Sequence, residues 1–174
     1  MKRAFSLLFI ALLVTSCAAI GTTKVTRTDT LDENWAYVTG KYGASHKPLV
    51  FALNGEAGFL DESSRFALKD DNDYHVRKVK PGRYWFTSAP IGDNKKLEKG
   101  GEALGTVDLE AGKVTYVGDI SFSWPTGSSG KHPDDVPSKL VVRGDSMKVK
   151  NMIKDRYPDF AQNLDKTFVY KPVR

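Results

Sequence analysis

Cysteine is almost absent from this chain: Cys17 is the single one in 174 residues. That excludes an intramolecular disulfide framework and any cysteine-rich zinc site. Histidine is scarce as well. His46, His75 and His132 stand at no ligand spacing, so a metal centre built on imidazole has nothing to start from. Long apolar runs are missing too. The longest, Ala4 to Val14, would make about 16 Å of helix against roughly 30 Å of hydrocarbon. Extended to Ile20 it would reach about 26 Å, which leaves an uncleaved N-terminal anchor as the alternative reading. There is no internal repeat, and 15 Gly and 8 Pro are too few for a collagenous or low-complexity chain. What is present, 27% charged and 40% hydrophobic residues, fits one globular domain.

The N-terminus speaks about location. Lys2 and Arg3 precede the apolar stretch, and Thr15-Ser16-Cys17 follow it as a small-residue site, the order of a secretory signal. The cysteine stands directly after Val14-Thr15-Ser16, and this arrangement resembles the bacterial lipobox. The resemblance implies diacylglycerol on the Cys17 thiol, cleavage between Ser16 and Cys17, and acylation of the new amino group. Two acyl chains anchor a protein stably where one does so marginally, so three hold it for good. Residue Ala18 follows; by the sorting rule of enteric bacteria, which retain lipoproteins with Asp there, it implies the outer membrane, facing the periplasm. The organisation expected is a signal peptide over 1–16, a lipidated tether over 17–34, a β-sandwich over 35–143, and a helical extension of the same domain over 144–174.

From Trp35 to Arg143 apolar residues recur with period 2, the signature of half-buried strands. The clearest case runs from Lys113 to Trp124. Alternation places Val114, Tyr116, Gly118, Ile120, Phe122 and Trp124 on one face, with Thr115, Asp119, Ser121 and Ser123 on the other. Further strands are expected at 35–39, 49–53, 65–69, 74–79, 83–87, 104–109 and 139–143. Turn chemistry separates them at Asn54-Gly55, Asp70 to Asp73, Pro81-Gly82 and Ala111-Gly112. The fold class is mainly β, an antiparallel β-sandwich. One or two short helices follow: Asp145 caps a helix over 146–157, with Val149, Met152, Ile153 and Tyr157 on its apolar side. Pro158 ends it and is placed to open a second short one carrying Phe160 and Leu164. The stretch 125–137 reads as a long loop.

Lys80-Pro81-Gly82-Arg83-Tyr84-Trp85-Phe86 and Ala111-Gly112-Lys113-Val114-Thr115-Tyr116-Val117-Gly118 together resemble a DUF2846-like group of bacterial lipoproteins and small surface proteins. The resemblance covers residues 35–124 and implies a prealbumin-like sandwich. That group brings no catalytic residues, so it implies a non-enzymatic role.

Each candidate site meets a simpler account. A nucleophilic hydrolase needs Ser or Cys backed by His and an acid, and no G-x-S-x-G elbow exists. His132 with Ser128, Ser129, Asp134 and Asp135 reads as a solvated loop. The run Asp70-Asp71-Asn72-Asp73 lacks EF-hand spacing and reads as a turn, so no metal and no cofactor is expected. Arg143-Gly144-Asp145 spells an adhesive tripeptide, but Gly144 and Asp145 already serve as strand exit and helix cap. Trp35, Trp85 and Trp124 invite a sugar-stacking platform, and Trp85, out of phase with Tyr84 and Phe86, is its best member. Residues 139–174 hold nine Lys and Arg against four Asp and Glu. Within them Lys148, Lys150 and Lys154 are expected to form a compact cationic patch on one helix face, able to touch anionic headgroups or peptidoglycan carboxylates. Nucleic acid is not expected in this compartment.

These features describe a lipid-anchored bacterial envelope protein, not an enzyme, serving as a binding or assembly module. Its partners would be the membrane, through lipid, and an anionic envelope component or an envelope protein. Two other readings stand beside it. One is an adaptor similar to the small outer-membrane lipoproteins with transthyretin-like domains of contractile secretion systems. The other is a lipid-anchored hydrolase of envelope polymers.

Overall fold

The computed structural model describes residues 24–43, 49–55, 62–68, 74–91, 95–100, 105–123 and 139–174. Cys17, His46, the Asp70–Asp73 run, Trp124, the 125–137 stretch and His132 lie outside the described residues.

Alternating β-branched and aromatic residues form strands β1 Ala36–Tyr42, β2 Leu49–Leu53, β3 Arg65–Leu68, β4 Arg77–Val79 and β5 Gly82–Ile91. They are followed by β6 Lys95–Gly100, β7 Gly105–Leu109, β8 Val114–Ser123, β9 Lys139–Arg143 and, at the end of the chain, β10 Phe168–Tyr170. Between β9 and β10 lie helix α1, Ser146–Arg156, a 3-10 turn at Phe160–Asn163 and a single-turn helix α2, Leu164–Thr167. Asp145 caps α1, its carboxylate accepting from the Met147 and Lys148 amides at 3.1 Å. Two strands were not expected. The β6 segment Lys95-Lys96-Leu97-Glu98-Lys99-Gly100 holds a single apolar residue and is ordered by backbone pairing with β5. The three residues of β10 are too few to show a period.

The strands make a mainly β fold of two sheets. One sheet runs β3-β2-β5-β6, with β7 also on β5, and is antiparallel throughout. The other runs β10-β8-β1-β4, with β9 sharing the edge of β8. In this second sheet β1 and β10 lie parallel to β8, while β4 and β9 lie antiparallel to their neighbours. It is therefore a mixed sheet rather than the antiparallel one expected. A parallel neighbour needs a long crossover, which the α1–α2 segment provides for β10. The corners at Pro81-Gly82 and Ala111-Gly112 are not hairpins. Each carries the chain from one sheet to the other, β4 to β5 and β7 to β8. The Tyr84 hydroxyl pins the first corner by donating to the Lys80 carbonyl at 2.8 Å.

Two cores result. Between the sheets lie Val38, Tyr42, Phe51, Phe66, Tyr84, Phe86, Val117 and Ile120, with Phe51 stacked on Phe66 at 4.9 Å. On the outer face of the mixed sheet Tyr37, Tyr74, Val114 and Tyr116 pack against Val149, Ile153, Tyr157, Phe160 and Leu164 of the helical layer. Val25 and Leu31 join this second core, so residues 24–34 belong to the fold and are not tether.

Strand β8 belongs to both cores, and a bulge makes that possible. Against β1, Thr39 pairs with Tyr116 and Lys41 with Asp119, so two steps on β1 match three on β8. Gly118 sits in the bulge with φ +97, and a Cβ there would lie 2.2 Å from Val142 Cγ1. The extra residue inverts the alternation. Val114 and Tyr116 face the helices, whereas Val117 and Ile120 face the other sheet; the single apolar face expected from 114 to 124 is split. At its end the chain closes the sandwich: the Arg174 carbonyl accepts from the Thr106 amide of β7 at 2.6 Å, just after β10 has paired with β8.

Because both faces of β8 are buried, Ile120→Ala and Tyr116→Ala should each cost roughly 2–5 kcal/mol in urea unfolding. Gly118→Ala should cost at least about 1–2 kcal/mol for the left-handed backbone alone. A Gly118→Ala protein as stable as the parent contradicts the bulge.

Candidate functional site

The bulge brings Tyr116 and Asp119 to the same face, although simple alternation sets them apart. Asp119 accepts from the Tyr74 hydroxyl at 2.8 Å and from the Tyr116 hydroxyl at 3.0 Å. The Lys41 ammonium lies 4.2 Å over the Tyr74 ring, and Tyr170 stacks on Tyr116 at 5.2 Å. Burial pushes the Tyr74 phenol up to about 12, and the bond to Asp119 adds to it. Burial also pushes Tyr116 up, with the Asp119 charge next in size. Both phenols stay protonated and commit their protons to one carboxylate. This cluster ties the segment ahead of β4 to β8 within the sheet–helix core, and both phenol protons are engaged in it. Periodicity could not show it, but Gly118 inside a strand pattern is the signal that marks such a bulge.

Of the residues singled out above, Trp85 does face outward. Tyr84 and Phe86 on either side of it lie in the intersheet core, and Trp85 packs over Gly55, where a Cβ would stand 2.8 Å from its ring. Its indole nitrogen is buried with no hydrogen-bond partner among the described residues. Trp35 lies in another layer, against the sheet–helix core, with Lys78 4.8 Å over its ring. Trp35 and Trp85 therefore form no common stacking platform.

The three lysines of α1 also separate. Lys150 and Lys154 converge on Asp165 of α2, at 2.8 and 2.9 Å. At 100° per residue Lys148 stands about 160° round the axis from Lys150, so it belongs to another side. The hydrogen bonds from Lys150 and Lys154 hold the Asp165 carboxyl down to about 2, so it stays charged and offsets one of the two cations. The compact three-lysine patch is not formed. Helix geometry sets Lys148 apart, and the acid that takes the other two, Asp165, comes from a later turn.

Beside this layer an open cleft of about 570 Å³ lies between the 30–33 segment, the Ala111–Lys113 corner and the 159–167 turn. Leu31 and Phe160 give it an apolar wall, and Glu33, Lys113, Asp159, Gln162, Asn163 and Lys166 a polar rim. Its described lining holds no Cys, Ser or His. Such a cleft offers donors and acceptors to a hydrogen-bonding ligand and no activated nucleophile. Among the described residues no three His, Cys, Asp or Glu could hold a metal ion, and no helix is long and apolar enough to cross a membrane.

The tyrosine cluster makes a pH prediction. An unfolded tyrosine ionises near pH 10, whereas Tyr74 in the fold ionises only near about 12 and Tyr116 is also raised. Between those values the folded state binds more protons, so their stabilisation is complete below about pH 10 and is lost as pH rises to about 12. Urea midpoints should fall over that window, and tyrosinate absorbance should lag behind that of the unfolded chain. A midpoint constant from about pH 9 to 12 contradicts the lock.

No protein-family model, curated protein or solved structure matches the chain.

Proposed function

We propose that this chain is a lipid-anchored protein of the bacterial envelope, held in the outer membrane facing the periplasm, whose β domain is a non-catalytic binding or assembly module. The observation that carries the reading is Val14-Thr15-Ser16-Cys17 behind a basic start and an eleven-residue apolar stretch. The sole cysteine falls at the one position where lipid attachment needs it. Packing supports the reading at the next step. Val25, eight residues after Cys17 in the sequence, is already buried in the sheet–helix core. The prealbumin-like sandwich belongs to this proposal as well. Two facing sheets and the corners at Pro81-Gly82 and Ala111-Gly112 favour it, and the mixed sheet and helical layer are this chain's own additions. A binding role fits a domain whose buried polar cluster is locked and whose open cleft is lined for hydrogen bonding.

Cells making the protein with labelled fatty acid test it. The parent should incorporate label and fractionate with membranes. Cys17→Ser should carry no label and accumulate as unprocessed precursor. Label retained by Cys17→Ser contradicts the proposal.

A further inference from the structure

Ion pairs tie the surface around the helical layer. Lys150 and Lys154 share Asp165, Lys171 holds Glu110, and Lys78 holds Asp32. The cleft of about 570 Å³ beside that layer is different. Glu33, Asp159 and Lys166 line it and are exposed, and their side chains make no hydrogen bond or ion pair among the described residues. Two lining residues also stand where a cap is expected and do not cap. Asp159 opens the 3-10 turn and Asn163 opens α2, yet neither side chain makes the bond that Asp145 makes on α1. Their carboxylate and carboxamide are left to the cleft. The walls themselves are fixed. The Gly112 amide donates to the Trp35 carbonyl at 2.8 Å, the Trp35 amide to the Asp32 carbonyl at 3.2 Å, and the Lys113 ammonium to the Lys166 carbonyl at 3.4 Å.

Charge along the cleft has a direction. Asp159 stands at the start of the 159–167 wall and Lys166 near its end, where the Lys113 ammonium also lies. The 3-10 turn rises about 2.0 Å per residue and α2 about 1.5 Å, so Asp159 and Lys166 are at most about 13 Å apart along that wall. An extended tripeptide is about 10 Å long, with an ammonium at one end and a carboxylate at the other. We propose that this cleft binds a short zwitterionic peptide, its ammonium at Asp159 and its carboxylate at Lys113 and Lys166. Between the ends, the Gln162 and Asn163 carboxamides meet peptide N–H and C=O groups, and Leu31 and Ala111 offer apolar surface to small side chains. Glu33 and Asp159 balance Lys113 and Lys166, so the cleft disfavours a polyanion and a polycation alike. A neutral sugar offers no charge to either end. This ligand class rests on the binding role proposed above and gives that role its partner.

The test is saturation-transfer NMR on the protein extracted from membranes in detergent, with trialanine, N-acetyl-trialanine, trialanine amide and maltotriose as probes. Trialanine should bind, and blocking either terminus should weaken it roughly two- to fivefold, the worth of one exposed ion pair. Asp159→Asn should weaken trialanine by a similar factor and leave N-acetyl-trialanine unchanged. Lys113→Gln with Lys166→Gln should weaken trialanine and leave trialanine amide unchanged. Ala111→Trp, at an exposed position, fills the cleft and should abolish binding. Circular dichroism melts check that the variants fold, and the blocked peptides test the parent without any variant. Trialanine that does not bind, or that binds no better than its blocked forms, overturns the inference. A variant that weakens free and blocked peptides equally overturns the assignment of the two ends. Maltotriose held by the parent and lost in Ala111→Trp, with trialanine not held, overturns the ligand class while the binding role stands. The fatty acid label at Cys17 is independent of all these outcomes, so a failure of anchoring is read separately.

Discussion

Strand β8 must serve two hydrophobic cores with one chain, and the rest of the architecture follows from how it does so. A regular strand offers alternate residues to opposite faces, so its two faces keep their identity from end to end. Here the first half of β8 needs large residues toward the helices, and the second half needs them toward the other sheet. The extra residue at Val117-Gly118 exchanges the faces in the middle. The exchange also divides the strand's outer edge, where β10 pairs with the first half and β9 with the second. It carries Asp119 beneath the hydroxyls of Tyr74 and Tyr116. Only glycine suits the position, since the backbone is left-handed and Val142 fills the space of a side chain.

Much of the β framework was legible because it rests on local alternation. The expected strand at 49–53 and that at 139–143 match residue for residue, and the α1 cap was named by Asp145 before its apolar side began. What escaped the sequence depends on contacts far along the chain. The parallel pairing of β1 with β8 joins segments more than seventy residues apart, and nothing near either one announces its direction. The face exchange in β8 escaped because a bulge looks like ordinary alternation until the partner's register is known. Lys148, Lys150 and Lys154 read as one cationic patch, but helix geometry sets Lys148 apart and Asp165 takes the other two. Residues 24–34 look like a tether by composition, yet Val25 and Leu31 supply apolar surface that the helical layer lacks. The tyrosine–aspartate cluster was legible only as its separate members.

In the proposed function, lipid at Cys17 holds the domain at a membrane, and the polar cleft beside the helical layer is left to meet other molecules. Polar groups buried in the fold, such as the two phenols on Asp119, are occupied in holding layers together. The proposed binding role asks for no group more reactive than these.

The proposed function depends on the chemical state of one residue, Cys17. Mass spectrometry of the N-terminal peptide from protein purified out of its own membrane reads that state directly. The account predicts a peptide that begins at Cys17 and carries the added mass of a diacylglyceryl group and an amide-linked acyl chain. A peptide that begins at Met1, or one that begins elsewhere and bears an unmodified thiol, contradicts it.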